Sequence, residues 1–189
     1  MKVALVRTKF NDFGGAEKFL DRALEALVMV GAKPTLICQS WKSTSEVQAF
    51  PIIQTSKPRG LTRTARAKHF ANSVHAIANQ NSFELVQTHE RIPGFDVFRA
   101  GDGVHRVWMA QRAKDTGWLR NFFMRLDPFH RYQLAQEKML YEADSLRAVI
   151  CNSHMVKQEI LSCFKIDAQK IHVIYNGIDT EKFRPPSPA

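Results

Sequence analysis

The segment that decides the fold is 148–186, which reads AVICNSHMVKQEILSCFKIDAQKIHVIYNGIDTEKFRPP. Its apolar spacing predicts a strand over 148–150, an amphipathic helix over 154–164 and a second strand over 171–174. A polar turn, Cys151-Asn152-Ser153, separates the first strand from the helix. Strand, helix and strand in this order predict two parallel strands joined by a crossover helix.

The rest of the chain repeats this alternation of short apolar strands and helices. A helix follows the first strand, where an apolar stripe of Phe19, Ala23 and Leu27 is closed by Gly31. Further strands are predicted at 3–6, 35–38, 51–53 and 83–86, and further helices over 61–80 and 118–146. We therefore expect an α/β fold, a Rossmann-like doubly wound parallel sheet with helices on both faces. Ligands of such sheets gather at the carboxyl ends of the strands, here the loops after 7, 87 and 150.

Composition limits the class of protein. The 189 residues are 44% hydrophobic, which suffices for the core of one domain. No apolar run of about 18 residues and no signal-peptide pattern occurs, so a cytoplasmic location is predicted. Cys38, Cys151 and Cys163 have no metal-type spacing and are expected to be reduced and buried. The net charge of +9 predicts an anionic partner: nucleic acid, a phosphorylated acceptor or acidic lipid.

Two loops carry the residues expected to do chemistry. In the first, Asp12-Phe13-Gly14-Gly15, the glycines permit close approach of a ligand and the N–H groups at the helix start favour an anion, although an ordinary tight turn has the same composition. The second loop is 89–105, which holds two histidines, three acidic residues and two arginines among glycine turns. This density of polar groups directly after a strand predicts functional use.

These motifs resemble those of family 4 glycosyltransferases, which are two-domain enzymes of the GT-B fold. The Asn176-Gly177-Ile178-Asp179 turn resembles the end of their N-terminal half. Phe13-Gly14-Gly15, Gln39-Ser40-Trp41, 93–97 and Ala100-Gly101-Asp102 are similar, in order and spacing, to the lipopolysaccharide core glucosyltransferase I type. The resemblance implies that 1–180 is the acceptor-side domain, that 181–189 begins the interdomain linker, and that a C-terminal donor-binding domain is absent.

The activity implied by the resemblance is retaining transfer of a hexose from a nucleotide sugar, a UDP-hexose, without metal or other cofactor. The acceptor would be an inner-core heptose of lipopolysaccharide or a related cell-envelope glycan. Without the donor-binding domain, the chain is expected to be inactive.

Roles for single residues follow from the same resemblance. Asp102 and His89 would be catalytic, with Asp102 beside the acceptor hydroxyl; at His89 the chain departs from the core glucosyltransferase pattern and matches other family 4 members. The donor would face Phe13, Gly14 and Gly15 across the cleft. Acceptor binding is assigned to four further residues of the second loop: Glu90, Arg91, Arg99 and His105.

Residues 104–133, named here the basic aromatic segment, alternate cations with aromatic rings. The segment has six basic and two acidic residues. This composition is typical of a segment that lies on an anionic bilayer, and in the resembling family the region is thought to rest on the inner membrane. The residues assigned to membrane contact are Arg106, Trp108, Arg112, Trp118, Arg120, Phe122 and Phe123. The alternative is that Trp118, Phe122 and Phe123 pack into the core.

Other functions have weaker support. A stand-alone domain that binds an anionic glycan or lipid and pairs with a separate donor-binding subunit is the main alternative. Nucleic acid is not expected as a partner, because no recognition helix, RNA-binding aromatic pair or zinc module is present. No metal site is expected, since His69 and His75 lie six positions apart and no paired ligand accompanies them. The expected location is cytoplasmic, peripheral on the inner face of the cytoplasmic membrane.

Overall fold

The computed structural model describes residues 1–11, 15–42 and 50–177. The strands are β1 (Lys2–Asn11), β2 (Lys33–Lys42), β3 (Ile52–Gln54), β4 (Leu85–Thr88), β5 (Val97–Ala100), β6 (Ala148–Cys151) and β7 (Ile171–Val173). The helices are α1 (Gly15–Met29), α2 (Arg63–Asn81), α3 (His105–Lys114), α4 (Trp118–Leu126), α5 (Pro128–Tyr141) and α6 (His154–Cys163). A single 3₁₀ turn, Ala168–Lys170, precedes β7.

The strands form one parallel sheet in the order β3-β2-β1-β4-β5-β6-β7. Successive side chains of β1 point to opposite faces, as strand geometry requires. Val3 and Leu5 pack with Leu20 and Leu24 of α1, whereas Ala4 and Val6 join the cluster of Phe70 and Val74 of α2. Helices therefore cover both faces of the sheet, and the predicted doubly wound α/β fold is confirmed.

Local sequence explains where two of these helices begin and end. Gly31 has a φ of +77°, and the bonds from Gly31 N–H to Val28 O (2.9 Å) and from Ala32 N–H to Leu27 O (2.9 Å) close α1 in a Schellman motif. This confirms Gly31 as the helix terminator. Thr62 caps α2 through its hydroxyl, which accepts a hydrogen bond from Ala65 N–H at 3.1 Å.

The region 89–105 is not one loop, as the sequence suggested, because β5 lies inside it. β5 has only four residues, and the charged Arg99 interrupts its apolar pattern. Its pairing with β4 and β6 buries all four residues nonetheless. Asp102 therefore follows a strand of its own.

The predicted helix over 118–146 is also wrong in detail, since it is two helices. Asp127 accepts a hydrogen bond from Phe129 N–H at 2.7 Å, and Pro128 opens α5. A proline in the first turn begins a helix well but cannot continue the preceding one, so α4 ends at Leu126. The helix α3 precedes both and had not been predicted from the sequence.

The cysteines match the expectation of reduced thiols, and two of the three are buried. Burial raises the pKa of Cys38 and of Cys151 to about 11. Cys163 is only half-buried at the end of α6, so the expectation of burial is wrong for that residue.

Candidate functional site

The carboxyl ends of β4 and β5, with the part of β1 beside them, form one edge of the sheet. We call this edge, with His89, Glu90, Arg99 and Asp102, the rim. β1 is the point at which the order of strands reverses, because β2 and β3 lie on one side of it and β4 on the other. Open α/β sheets bind ligands in the crevice at this position. Gly15 begins α1, and Phe19, in the second turn of this helix, contacts His89 and Arg99 of the rim. Phe13 and Gly14, also predicted to face the donor, lie outside the described residues.

Glu90 is tied to β1. Its Oε1 accepts a hydrogen bond from Thr8 N–H at 2.9 Å and lies 3.5 Å from Arg7 Nη1. The backbone N–H of His89 donates to Val6 O at 3.0 Å, which extends the β1–β4 pairing by one residue. These bonds fix the segment after β4 against β1.

His89 is held as a neutral ring. It is 8% exposed, and burial, together with the positive charges of Arg99 and Arg7, lowers its pKa to about 3. The Gln87 amide Nε2 lies 2.9 Å from His89 Nε2. Because an amide nitrogen only donates, this arrangement makes His89 Nε2 the acceptor and places the ring proton on Nδ1. The ring centroid of Phe19 lies 6.1 Å away.

Arg99 connects the rim with the end of the described chain. It is 7% exposed, its Cζ lies 3.6 Å from the centroid of the Phe19 ring, and its Nη2 donates to Asn176 Oδ1 at 2.6 Å. Burial lowers the pKa of Arg99, while the nearby Asp102 carboxylate opposes that shift. Gly101 makes room for the guanidinium, since a Cβ there would lie 2.5 Å from Arg99 Nη1.

Asp102 is the exposed carboxylate of the rim. No described residue donates a hydrogen bond to its carboxylate. The preceding turn is anchored by Asn152, whose Nδ2 donates to Gly101 O at 2.9 Å and thus joins the ends of β5 and β6. Asp102 is consequently a negative group on a fixed turn with its oxygens open to a ligand.

Arg91 and His105, both predicted to bind the acceptor, lie beside the rim and make contacts within the chain. Arg91 Nε donates to Glu137 Oε1 at 2.8 Å and its Nη2 to Gly103 O at 3.1 Å. The same Glu137 oxygen accepts from His105 N–H at 2.6 Å. These bonds brace the turn between β5 and α3, and the role of both residues in acceptor binding stays a prediction.

Glu137 was missed by the sequence reasoning. It is 1% exposed on α5, yet it stands in a Gln-Glu-Lys run that is typical of a solvated helix face. Only the packing of α5 against the 103–105 turn explains a buried carboxylate there, and no local signal in the sequence marks it.

A second tier of aromatic contacts joins α3 to α5. His105 Nε2 lies 3.0 Å from His130 Nδ1, and the His105 ring stacks on Trp108 with centroids 5.4 Å apart. Burial, together with the positive charges of nearby groups, Arg91 first among them, lowers the pKa of His105 to about 4. His105 is therefore neutral at pH 7.

The seven residues assigned to membrane contact are all exposed. Trp118 is 78% and Phe123 66% exposed, and no side chain of α4, a helix described in full, is buried. The alternative that Trp118, Phe122 and Phe123 pack into the core is therefore wrong. Within the described ranges, no helix is both long and apolar enough to cross a membrane. In the same ranges, no group of three or more His, Cys, Asp or Glu side chains is placed to hold a metal ion.

Comparison of the chain with known proteins identifies its relatives. Among solved structures it is similar to WaaG, "a glycosyltransferase involved in lipopolysaccharide biosynthesis", with a TM-score of 0.83 and 20% identity over 98% of this chain and 48% of that one. Sucrose-phosphate synthase from Thermosynechococcus elongatus matches with a TM-score of 0.64 and 14% identity over 97% of this chain and 50% of that one. The lipopolysaccharide outer core galactosyltransferase WaaB matches with a TM-score of 0.59 and 14% identity over 94% of this chain and 46% of that one.

At these identities, the likeness shows the fold, which is the Rossmann-like domain of GT-B glycosyltransferases. The chain spans about half the length of each of these structures. Curated proteins give no significant sequence match. The sequence profile of Glycosyltransferase Family 4 matches residues 13–182, which is most of the chain. The protein therefore belongs to glycosyltransferase family 4.

Proposed function

We propose that this chain is the acceptor-side domain of a retaining glycosyltransferase, which transfers a hexose from a UDP-hexose to a lipopolysaccharide core or related cell-envelope glycan. The observation that carries the proposal is the placement of His89 and Asp102 at the ends of adjacent strands, beside the N-terminus of α1 at the switch point of the sheet. The similarity of the fold to WaaG and WaaB supports a cell-envelope acceptor.

Asp102 acts on the acceptor in this proposal. Its exposed carboxylate accepts the hydrogen bond of an acceptor hydroxyl, which orients the oxygen and takes its proton as the new glycosidic bond forms. His89 is neutral at pH 7, so it serves as a hydrogen-bonding group for the transferred sugar rather than as a cation. Glu90, Arg91, Arg99 and His105 surround the acceptor or hold the turns that bind it.

The donor lies across a cleft from this domain. Phe13, Gly14 and Gly15 are the residues proposed to contact the donor, while a second domain binds the nucleotide and stabilises the diphosphate leaving group. Transfer proceeds without a metal in this proposal, and the chain is inactive without that second domain.

The basic aromatic segment places the enzyme on its acceptor-bearing membrane. Exposed aromatic rings of α4 enter the headgroup region, and the arginines of α3 and α4 pair with lipid phosphates. The protein is thus a cytoplasmic, peripheral component of the inner face of the cytoplasmic membrane.

Transfer by the product of the complete reading frame tests the proposal. Purified protein is assayed with a panel of UDP-hexoses and a truncated lipopolysaccharide acceptor, and the anomeric configuration of the product is read by NMR. Asp102→Ala is expected to lower turnover at least tenfold while the protein still unfolds cooperatively on heating, with only a small loss of stability, because the carboxylate is exposed and takes part in no hydrogen bond within the described residues and loses only its attraction to Arg99.

Asp144→Ala, which removes another exposed carboxylate far along the chain, is the matched control and should leave turnover unchanged. Wild-type turnover in Asp102→Ala would remove Asp102 from the mechanism. If the reading frame ends at Ala189 and no partner protein restores transfer, the alternative of a glycan-binding domain is favoured.

A further inference from the structure

A groove of about 630 Å³ opens beside the rim, between α2 and α5. Its volume falls within the range of small-molecule sites, roughly 300–1,000 Å³. Thr8 and Glu90 line the groove and also belong to the rim contacts described above. A molecule bound there consequently reaches the edge at which the reaction is proposed to occur.

The walls of the groove are positively charged. Arg63 and Arg66 of α2 and Lys9 of β1 line it and are exposed. Within the described residues, none of these three cations forms an ion pair with a carboxylate. The acidic residue of the lining, Glu90, already accepts from Thr8 and lies against Arg7. The open charge of the groove is therefore positive.

Arg63 is held in position by an aromatic ring. Its Cζ lies 3.9 Å from the centroid of the Phe129 ring, which also lines the groove. Phe129 is fixed in turn by its backbone bond to Asp127. A guanidinium stacked in this way keeps its N–H donors at its edge, and such a planar fork suits bidentate contact with phosphate or carboxylate oxygens.

The floor of the groove has features that suit a sugar. Tyr132 and Phe129 present aromatic surface. Gln133 Oε1 is buried and, among described residues, has no hydrogen-bond partner. A buried acceptor without a donor destabilises the protein, so the unused oxygen next to a groove is a position that a ligand hydroxyl would satisfy.

We propose that this groove binds an anionic saccharide, with the phosphate or carboxylate substituent on Arg63, Arg66 and Lys9 and a sugar hydroxyl on Gln133 Oε1. This inference rests on the proposed function, in which the saccharide is the acceptor, and it adds that the acceptor is recognised by a negative charge remote from the hydroxyl that reacts.

Kinetics with the complete enzyme and matched acceptors test the inference. The acceptor glycan is used before and after phosphatase treatment, and also with its sugar-acid carboxylates reduced. The double variant Arg63→Gln/Arg66→Gln is expected to raise KM for the charged acceptor at least tenfold while leaving kcat and the KM of the UDP-hexose unchanged. For the acceptor without its anionic group, the KM of wild type and variant should agree.

The treatment of the acceptor that raises KM identifies its anionic group. A KM raised by phosphatase treatment assigns the substituent as phosphate, and one raised by carboxylate reduction assigns it as carboxylate. The control double variant Lys2→Gln/Lys33→Gln has the same change in charge at the opposite, amino edge of the sheet and should leave every KM unchanged. An equal rise of KM in both double variants would show a general effect of net charge and overturn the proposed binding site in the groove.

Gln133→Leu tests the sugar contact separately. It should raise KM for charged and uncharged acceptors alike, while stability stays the same or rises because a buried acceptor without a partner has been removed. An unchanged KM would overturn that contact.

Direct binding distinguishes failure of the groove from failure of the proposed function. Mannose 6-phosphate, glucuronate and mannose are titrated into the protein and followed by NMR. The two anionic sugars should give saturable chemical-shift changes, and mannose should give none. If these changes are lost in Arg63→Gln/Arg66→Gln, they support saccharide binding in the groove even if the enzyme uses no UDP-hexose. Normal transfer with equal KM for all acceptors in wild type and variant would overturn the groove and leave the proposed function intact.

Discussion

The rim and the basic aromatic segment use similar residue types in opposite settings. At the rim, Arg99 and His89 are buried, and each has a defined partner in Asn176 or Gln87. In the basic aromatic segment, Arg120 and Phe123 are exposed. The rim thus has one fixed geometry, whereas the segment presents its cations and rings to solvent.

This difference separates two kinds of function. Buried ionisable groups cost free energy through desolvation, and they persist where a fixed geometry is needed. Exposed arginines and rings contribute little to folding and remain available to a surface with many equivalent headgroups. In the proposed function, the rim carries the chemistry and the basic aromatic segment adsorbs to the membrane.

The pH dependence of stability should show the largest contrast between the two regions. The pKa of His89 is about 3 in the folded chain and about 6.5 when unfolded, so the unfolded state binds the extra proton between these values. His89 therefore contributes fully to the free energy of unfolding above pH 6.5, and its contribution should fall by up to about 1.4 kcal/mol per pH unit as the pH drops towards 3.

Urea unfolding from pH 7 to pH 4 measures this slope. His89→Gln should reduce the slope, and the slope that remains has the same direction because the pKa of His105 is lowered to about 4 and burial also lowers the pKa of His75. The exposed His172→Gln is the control and should keep the wild-type slope. Identical slopes in His89→Gln and wild type would show that His89 is not buried as a neutral ring.

Arg99→Ala should destabilise the chain by about 3 kcal/mol, since it removes a hydrogen bond to a charged donor and the cation–π contact with Phe19. The free energy of unfolding in urea measures the loss. Arg99→Lys should recover part of it, because lysine keeps the charge without the planar fork. Arg120→Ala in the basic aromatic segment should change the free energy of unfolding by less than about 0.5 kcal/mol. Equal losses at Arg99 and Arg120 would contradict the contrast between a fixed rim and an exposed segment.

Gly101→Ala should lower the free energy of unfolding by about 1 kcal/mol, because the new Cβ would lie 2.5 Å from Arg99 Nη1 and push that guanidinium from its site. Thermal unfolding detects the change. Gly117→Ala is the counterpart at the start of α4, where a Cβ meets no atom within 4 Å and stability should stay within about 0.5 kcal/mol. A loss at Gly117 as large as that at Gly101 would contradict the open packing of α4.

Phe122→Ser/Phe123→Ser should have the smallest effect on folding, less than about 0.5 kcal/mol, because both rings are exposed. Co-sedimentation with vesicles of phosphatidylglycerol and phosphatidylcholine should nevertheless fall several-fold. The exposed pair Met29→Ser/Val30→Ser at the end of α1 is the control and should bind vesicles as wild type does. Unchanged vesicle binding by Phe122→Ser/Phe123→Ser would show that α4 does not contact the membrane.

The regular parts of the fold could be predicted because their signals are local. The apolar runs of β1, β2 and β6, the stripe of α1 and the stop at Gly31 follow from periodicity and from turn chemistry within a few residues. The loops expected to carry the site were found in the same way, since they follow such runs.

The missed features depend on contacts between distant residues. β5 is a strand because β4 and β6 pair with it, although Arg99 breaks its apolar pattern. Glu137 is buried because Arg91 and the His105 N–H meet its carboxylate, 46 and 32 positions away. Arg63 and Gln133 share a groove only because α2 and α5 lie side by side. No local period encodes these encounters.

By itself, the amino-acid sequence determined the alternation of strands and helices, the parallel sheet and the edge of the sheet that holds His89 and Asp102. Hydrophobic period and turn preference act over a few residues, so they can be read from the chain. Only the tertiary structure decided that His89 is neutral, that Arg99 is fixed between Phe19 and Asn176, and that the rings of α4 stay exposed. Desolvation and charge pairing depend on which distant groups become neighbours, and folding alone sets that.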